Sequence, residues 1–383
     1  MKKIAFSGTL DPITNGHMWV IQEARTLADE VVVLVSHNPA KKPRFSDEQR
    51  KAIVEQSLAA EGWNDVSVMI VRGDYTARVA KRHGIDYLIR GLRNTADFDY
   101  ENLLQQANQE VLQGAKTLFV MPPRDLGSVS SSFVRGLMGP VGWHTYVKKF
   151  VPAPAYHAMI LDWLLSDWQA LWRQPDLADD TAHWFAQLTG ASAYGAPSRH
   201  YHNLDHLVHG LSEIAVWADN SGASQTDVDT LKKAFWFHDA VYESSPTSRV
   251  ASHSNEEASA QLWLAAGLDN TNADDGPAAL IRATDHLQMQ QVTHRLKDVM
   301  LSIDLAIFGQ AANVYDDYAC AVREEYRAVE EQLYRTNRRQ VLAHFLMMAS
   351  AGTLYPAPYF ADLYLEAARA NIMREIAALD MAA

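Results

Sequence analysis

The sequence is poor in cysteine and has no long apolar run. Its 383 residues include one cysteine, Cys320, so no intramolecular disulfide can form and nothing indicates an oxidising compartment. No apolar run approaches the roughly 18 residues that a membrane-spanning helix needs. The N-terminus, with polar residues soon after its first lysines, is unlike a secretory signal peptide. We therefore expect a cytoplasmic protein without a membrane partner.

Basic residues are scarce in the second part of the chain. Residues 1–158 carry 19 Lys+Arg and 16 Asp+Glu, a net charge of +3, whereas residues 159–383 carry 15 and 30, a net charge of −15. An acidic region repels phosphate backbones, which disfavours nucleic acid as a partner. The same region holds ten of the 15 histidines and is compatible with a divalent metal site. At roughly 100–200 residues per domain, the length predicts two or three domains.

Two kinds of pattern divide the chain near residue 158. Before it, apolar and largely β-branched runs alternate with helical spacing, which predicts strands at Lys3–Ser7, Glu30–Ser36, Val66–Val71, Asp86–Ile89 and Thr117–Met121. Buried strands separated by helices are typical of an α/β doubly wound parallel sheet. After it, no strand pattern stands out, and amphipathic stretches predict an all-α domain over residues 159–383, with helices near 159–173, 204–218, 227–241, 256–266, 278–287, 312–331 and 359–379.

Phosphate-binding chemistry follows the first predicted strand. The residues from Ser7 to His17 read SGTLDPITNGH and open the first predicted helix. The start of a helix offers N–H groups and the positive end of its dipole to a phosphate. Gly16 lets the backbone approach a ligand closely, and His17 can donate to the oxygens of an α-phosphate. A turn with an incidental histidine is the alternative, but the length of the string argues against it.

Three further segments carry phosphate-binding side chains. Lys41 and Lys42 follow the second strand, and Arg90-Gly91-Leu92-Arg93 follows the fourth, where open α/β sheets bind ligands. Arginine suits bidentate phosphate binding. The serines at 130–132 open another helix and predict a second phosphate cradle, although one of them also fits a simple helix cap.

Together these segments resemble the nucleotidyltransferases with a Thr-x-Gly-His signature and, among them, the phosphopantetheine adenylyltransferase family. The resemblance spans about residues 1–162 and implies a Rossmann-like nucleotidyltransferase domain. Members use ATP with Mg²⁺ to transfer AMP to 4'-phosphopantetheine, which gives dephospho-CoA and pyrophosphate, and they form hexamers, so a homo-oligomer is implied. The implied catalytic residues are His17, Lys41 and Arg90, and the implied residues for substrate and ATP are Thr9, Gly16, Arg93, Glu101, Ser130, Ser131 and Ser132.

The chain departs from the family's usual residues at three places. Ser7 and Leu10 differ within the first string, and Gly73–Thr76 differs where the resemblance implies the wall of the pantetheine arm. The acceptor therefore stays open between phosphopantetheine and another phosphate, such as nicotinamide mononucleotide.

Histidine and aspartate recur together in the second part. Tyr201–His206 reads YHNLDH, His238 and Asp239 are adjacent, and Asp304 lies in a later apolar stretch. Neighbouring residues on a helix point about 100° apart, so both residues of the pair reach one ion only if it lies between them in a bundle core. Imidazole and carboxylate together suit Mn²⁺, Fe, Zn²⁺, Co²⁺ or Ni²⁺. A buried histidine with a carboxylate partner is the alternative for any single pair.

This part resembles HD-type metal-dependent phosphohydrolases over roughly residues 160–380 and, in its Tyr-His-Asn-x-x-His stretch, cyclic-nucleotide phosphodiesterases. The resemblance implies His202 as the general acid and a metal bound by His206, His238, Asp239 and Asp304. Glu243, Glu256 and His286 are candidates for supporting roles. Residues 323–326 fit the resemblance or form a salt-bridged helix face. The expected protein is a bifunctional enzyme whose hydrolase acts on a nucleotide or CoA-related substrate, or an adenylyltransferase regulated by a nucleotide-binding module.

Overall fold

The computed structural model describes residues 1–37, 42–93, 95–106, 108, 114–173, 178–244, 254–269, 275–285 and 292–381. The chain forms two compact units, Met1–Ile160 and Leu161–Ala383. Two residues predicted for the sites, Lys41 and His286, lie outside the described residues. Within the described ranges, no helix has both the length and the apolar character that crossing a bilayer requires.

The first unit is built on a parallel sheet of five strands in the order β3-β2-β1-β4-β5. The strands are β1 (Lys3–Gly8), β2 (Glu30–Ser36), β3 (Val66–Val71), β4 (Tyr87–Gly91) and β5 (Lys116–Val120). The interior residues of β1 and β2 are buried, as expected of strands covered on both faces. The predicted parallel α/β sheet is confirmed, with strand ends shifted by one or two residues.

The connections of the sheet place a crevice beside β1. From β1 the chain moves outward to β2 and β3, and it then returns to place β4 on the opposite side of β1. Such a switch point leaves the carboxyl ends of β1 and β4 uncovered by a direct connection. The helices of this unit are α1 (Asn15–Leu27), α2 (Asp47–Ala60), α3 (Thr76–Arg82), α4 (Thr95–Gln106), α5 (Ser131–Gly136) and α6 (Trp143–Val147).

The second unit is helical throughout its described residues. Helix α7 (Ala153–Leu171) leads into it, and the following helices are α8 (Ala178–Thr189), α9 (Leu204–Ser221), α10 (Gln225–Phe237), α11 (Asn255–Ala266), α12 (Pro277–Ala283), α13 (Lys297–Asp304), α14 (Ala312–Glu325), α15 (Glu331–Ser350) and α16 (Pro358–Met381). A short 3₁₀ turn, Leu305–Gly309, follows α13. The predicted all-helical character is confirmed for the described residues, and α8, α13 and α15 were not predicted.

Two helices that end near site residues stop earlier than their patterns predict, and α12 also ends early, at Ala283 rather than at 287. Helix α10 stops at Phe237, although the apolar pattern runs to residue 241, and α14 stops at Glu325 rather than at 331. At the end of α10, the imidazole Nδ1 of His238 donates to the Phe235 carbonyl at 2.8 Å. This side chain thus takes a carbonyl that a further helical N–H would otherwise bond, which an apolar pattern cannot reveal. The early ends of α10 and α14 lie at predicted or observed site residues.

Candidate functional site

A cavity of about 930 Å³ lies at the carboxyl ends of β1 and β4 in the first unit. Its walls include the predicted residues of this unit that the structure describes: Thr9, Gly16, His17, Arg90, Arg93, Glu101, Ser130, Ser131 and Ser132. Lys42, the neighbour of Lys41, also lines it. Residues far apart in the sequence therefore share one polar cavity at the switch point of the sheet, where open α/β folds bind ligands.

His17 is held in one orientation by the start of α1. Thr14 is the N-cap of this helix, and its backbone N–H donates to His17 Nδ1 at 3.0 Å. Because Nδ1 accepts a hydrogen bond, the neutral imidazole carries its hydrogen on Nε2. The imidazole is thereby fixed with a donor nitrogen on the edge opposite the cap. This is the form that a hydrogen bond to a phosphate oxygen requires.

A buried arginine supports the loop after β1. Arg50 of α2 is fully buried and donates to the carbonyls of Thr9 and Ser36, the latter at 3.1 Å, while Asp47 pairs with it. Next to Thr9, Leu10 adopts the left-handed backbone region, with φ of 51°. Such backbone strain in a non-glycine residue is concentrated at functional sites. Nothing in the pattern of α2 marks Arg50, because a basic residue in an amphipathic helix normally faces solvent.

Each predicted arginine is paired with a carboxylate of α4. Arg90 Nε donates to Glu101 Oε2 at 2.9 Å, its Nη2 bonds to the other carboxylate oxygen, and its Nη1 bonds to Ser7. Arg93 makes a matching pair with Asp97, with bonds of 2.8 and 3.2 Å. A bidentate pair holds a guanidinium in a defined plane. The two carboxylates thus orient two of the cations that line the cavity.

The three serines have different hydrogen bonds. Ser130 is the N-cap of α5 and accepts the N–H of Phe133 at 3.1 Å, as the simple capping alternative predicts. Ser131 Oγ donates to the Pro12 carbonyl at 2.8 Å. Ser132 Oγ accepts from Arg135 at 3.4 Å. All three line the cavity, so the capping role of Ser130 and a place in the cavity wall coexist.

Asp11 links three of the cavity segments and was not predicted. Its carboxylate is buried and accepts the backbone N–H groups of Arg44 and Phe45 at 2.9 and 3.0 Å. It also accepts a hydrogen bond from Arg135 at 3.1 Å. These bonds tie the loop after β1 to the segment that follows Lys41–Lys42 and to α5. Asp11 lies within the string SGTLDPITNGH, but aspartate before proline reads from sequence as an ordinary turn.

The second unit gathers imidazole and carboxylate groups at the end of α10. His206 Nε2 lies 3.0 Å from His238 Nε2 and 3.6 Å from Asp239 Oδ2, and the three residues are buried. Asp304 Oδ1 lies 3.4 Å from His238 Nε2 and 3.8 Å from His206 Nε2. Donor atoms around one ion, with metal–ligand bonds near 2.1 Å, are about 3.0–3.4 Å apart. The four predicted ligands therefore converge at spacings close to those of a metal centre.

Close packing of two helices brings the histidines together. A methyl group at Gly210 of α9 would lie 2.0 Å from the ring of Phe235 in α10, so only glycine allows this approach. His206 stands one turn before Gly210, and His238 caps α10 three residues after Phe235. Because α10 ends at Phe237, Asp239 lies beyond the helix. Its carboxylate reaches to 3.1 Å from His238 Nε2 without the 100° separation expected within a helix.

The charges of this cluster are interdependent. Burial, together with the neighbouring His238, lowers the pKa of His206 to about 3. Burial also opposes a charge on His238, but the carboxylates of Asp239 and Asp304 raise its pKa well above the usual value. Burial opposes a charge on both carboxyl groups, but the neighbouring histidines, above all His238, hold the pKa of Asp239 and Asp304 below the usual value. The cluster thus favours a positive charge among two carboxylates, as a cation site requires.

His202, which is half-buried, forms a pair with the buried Glu325. Its Nδ1 lies 2.6 Å from Glu325 Oε1, and Glu325 Oε2 accepts the N–H groups of residues 200, 201 and 202 at 2.9–3.1 Å. The His202 ring stacks on Tyr242 with a centroid distance of 3.9 Å and lies 5.9 Å from the His206 ring. Burial lowers the pKa of His202, but Asp239 and Glu325 outweigh it and raise that pKa.

The stretch from 323 to 326 forms the surface salt bridges that one of its two alternatives predicts. Arg323 pairs with Glu331 and Arg327 with Glu324, both on the surface. Glu325 turns inward to His202 instead. Of the remaining candidates, Glu243 is exposed and its N–H donates to Asn255 Oδ1 at 3.2 Å. Glu256, near the start of α11, is half-buried.

Comparison with known proteins assigns the first unit to a class. Residues 5–137 match the cytidylyltransferase-like family model. That range covers all five strands, the loop after β1 and the serines of α5. The unit is therefore a nucleotidyltransferase domain of the cytidylyltransferase-like class, as its Rossmann-like sheet and cavity indicate.

The relatives narrow this class to one family. The chain is 36% identical over 160 residues to phosphopantetheine adenylyltransferase of Chromobacterium violaceum. This alignment covers 42% of this chain and 96% of the relative. It is 38% identical to the enzyme of Haemophilus influenzae, an alignment that covers 42% of this chain and 98% of the relative. It is 27% identical to the enzyme of Neisseria meningitidis serogroup C, where the alignment covers 42% of this chain and 94% of the relative. The chain belongs to the phosphopantetheine adenylyltransferase family, which confirms the predicted family for its first 160 or so residues.

Proposed function

We propose that the first unit transfers AMP from ATP to 4'-phosphopantetheine, with dephospho-CoA and pyrophosphate as products. Family membership supports this reaction. The observation that carries it is the single cavity lined by the loop after β1, the two paired arginines and the serines of α5. A cavity of about 930 Å³ suits a pair of substrates of this size.

The reaction needs positioning and charge stabilisation. An oxygen of the acceptor phosphate forms a bond to the α-phosphorus of ATP as the bond to the leaving pyrophosphate oxygen breaks. His17, with its hydrogen on Nε2, donates to the α-phosphate oxygens as their charge grows. Arg90 and Arg93, held by Glu101 and Asp97, face the phosphates in fixed planes. Mg²⁺ bound to ATP supplies further charge neutralisation.

A time course followed by mass spectrometry tests this proposal. The full-length protein is incubated with ATP, Mg²⁺ and 4'-phosphopantetheine, and dephospho-CoA and pyrophosphate are quantified. We expect both products in equal amounts. Consumption of ATP without dephospho-CoA would contradict the acceptor assignment, and no consumption with any acceptor would contradict the transfer itself.

A second acceptor is a specific alternative. Tyr75 and Thr76 line the cavity and belong to the segment that departs from the family's usual residues. Tyr75 is 63% exposed, so its ring is available to the distal part of an acceptor. If nicotinamide mononucleotide reacts faster than 4'-phosphopantetheine in a direct competition, this alternative replaces the first.

We infer that the second unit binds a divalent metal through His206, His238, Asp239 and Asp304 and hydrolyses a phosphate ester or anhydride. The donor spacings of 3.0–3.8 Å support it. The hydrogen bond from His238 Nδ1 to the Phe235 carbonyl also supports metal binding. This bond leaves the Nε2 lone pair of His238 directed to the cluster. The set of two imidazoles and two carboxylates fits Mn²⁺, Fe, Zn²⁺, Co²⁺ or Ni²⁺. The arrangement resembles that expected of an HD-type phosphohydrolase.

The residues around this centre suit hydrolysis. A divalent cation there would supply Lewis acidity and lower the pKa of a coordinated water. His202, protonated and held by Glu325 at Nδ1, would donate its Nε2 proton to the leaving oxygen. Stacking on Tyr242 restrains the imidazole plane. Each of these roles concerns a side chain within the same buried region of the second unit.

A regulatory module that binds a nucleotide without turnover is the rival for this unit. The His202–Glu325 pair favours hydrolysis, because binding alone needs no proton donor beside the metal. The test combines metal analysis of the purified protein with phosphate release from a panel of nucleotides and CoA precursors, for wild type and His202→Gln. Hydrolysis predicts release that falls in the variant with metal retained. Bound metal and nucleotide with no release by wild type would favour the regulatory module.

A further inference from the structure

Arg199 is a buried arginine that contacts the backbone of Asp239 and of His202 in the candidate metal centre. The residue is 9% exposed. Its Nη1 donates to the Asp239 carbonyl at 2.6 Å and to the His202 carbonyl at 3.3 Å, and its Nη2 donates to the Ala240 carbonyl at 2.9 Å. One guanidinium therefore bonds to the backbone of a proposed metal ligand and to that of the proposed general acid.

The position of these carbonyls explains why an arginine is suited to them. Asp239 and Ala240 lie just beyond the end of α10, where no helical N–H groups follow to bond their carbonyls. A guanidinium satisfies two neighbouring carbonyls from one plane, because its donors form a rigid fork. An ammonium is a single point of charge and cannot reproduce that fork.

The rings on either side of Arg199 connect it to the same two groups. Its guanidinium lies 5.3 Å from the ring of Tyr194 and 5.8 Å from that of Tyr242. The Tyr194 hydroxyl accepts the Asp239 N–H at 3.1 Å. Tyr242 stacks on the His202 imidazole at 3.9 Å. Arg199 thus holds the backbone of each group and packs against the ring that restrains it.

We propose that Arg199 is a positioning residue of the metal centre in the second unit. It sets the direction of the Asp239 carboxylate and of the His202 imidazole through their backbones, and it touches neither metal nor substrate. The inference rests on the proposed metal-binding function of this unit. It predicts an effect on metal affinity, which a residue that merely stabilises the folded chain would not have.

The test measures Mn²⁺ binding by full-length protein that has been stripped with a chelator. Calorimetry and Mn²⁺ electron paramagnetic resonance are applied to wild type, Arg199→Met, Arg199→Lys and the control Arg327→Met, whose arginine is 68% exposed and pairs with Glu324 on the surface. Measurements are made at a temperature where near-ultraviolet circular dichroism shows every protein folded, so a purely stabilising role leaves Kd unchanged. AMP transfer by the first unit of the same chain is an internal control.

We expect Kd for Mn²⁺ to rise about ten- to a hundredfold in Arg199→Met, as is usual when a group that orients a ligand is lost. Arg199→Lys restores part of the affinity, the control matches wild type, and AMP transfer is unchanged. If Arg199→Met does not fold, the lysine variant decides, and a wild-type Kd in it overturns the inference. Wild-type Kd in a folded methionine variant overturns it as well. If wild type binds no Mn²⁺, the proposed metal binding is wrong and the inference about Arg199 falls with it. Failure of the Arg199 inference alone would instead leave Mn²⁺ binding by wild type intact.

Discussion

The two candidate sites differ in the size and charge of what each can hold. The first unit has a cavity of about 930 Å³. Two of the cations that line it, Arg90 and Arg93, are 26% and 35% exposed, and each is paired with a carboxylate. The second unit has donor atoms 3.0–3.8 Å apart on side chains that are at most 15% exposed. An open cavity with oriented cations suits a large polyanion, and a compact buried set of neutral and anionic donors suits a small cation.

This difference matches the two kinds of chemistry that we propose for the two units. In the first unit, loops at the end of a sheet supply donors around a space for substrates. In the second, packed helices bring a few ligands to one point and leave little room between them. Variants of one site should leave the other unchanged, and the Asp239→Asn and Glu101→Gln experiments use the function of the other unit as their reference.

The largest effect is expected from Asp239→Asn. The amide keeps the shape of the side chain but removes a charged ligand from between His206 and His238. We expect bound metal to be lost and phosphate release to fall by roughly three orders of magnitude or more. Metal analysis and a phosphate assay check this, with Asp219→Asn, an exposed residue of α9, as the control. Full activity in Asp239→Asn would remove this residue from the metal centre, and an equal loss of AMP transfer would break the separation of the sites.

His17→Gln should reduce AMP transfer by about 10²–10³-fold in kcat, because a donor to the transition-state charge is removed. Glutamine at the third position of α1 can still complete the capping box with Thr14, so the helix start is preserved. Steady-state kinetics of dephospho-CoA formation check this against His83→Gln, an exposed histidine at the end of α3. A change in KM alone would assign His17 to ground-state binding.

Gly210→Ala tests the helix packing behind the second site. The added methyl would lie 2.0 Å from the Phe235 ring, so α9 and α10 must separate. We expect the unfolding free energy of the second unit to fall by about 1–3 kcal/mol, with weaker Mn²⁺ binding. Urea denaturation followed by tryptophan fluorescence reports this unit, which holds seven of the ten tryptophans. Gly136→Ala, where the methyl meets nothing within 4 Å, is the control. Unaltered stability would mean that the helices adjust without cost.

The smallest effect is expected from Glu101→Gln. The amide cannot form the charged bidentate pair, so Arg90 loses its fixed plane. We expect kcat/KM for AMP transfer to fall by about tenfold, with metal binding in the second unit unchanged. Glu55→Gln, which removes an exposed pair with Lys51 on α2, is the control. If Glu101→Gln matches wild type, the carboxylate does not orient Arg90 for the reaction.

Much of both sites could be predicted from local sequence, since short segments carry their own physical signals. β-Branched runs mark β1 and β2, and the string from Ser7 to His17 marks the phosphate loop. The paired His238 and Asp239 mark the second site in the same way. Supporting residues had no such signal. From sequence, Arg50 resembles a surface charge, Asp11 a turn residue and Arg199 a loop residue. All three are buried in the structure.

The sequence by itself determined the fold class of each unit and the chemical types of the ligands, because periodicity and side-chain chemistry are local properties. Only the tertiary structure decided that α10 ends before His238, that Gly210 lets two helices approach, and that Glu325 turns inward to His202. The last two of these features depend on partners that lie 25 and 123 residues away in the chain. A pattern along the chain does not record them, since burial and hydrogen-bond partners exist only after the helices have packed.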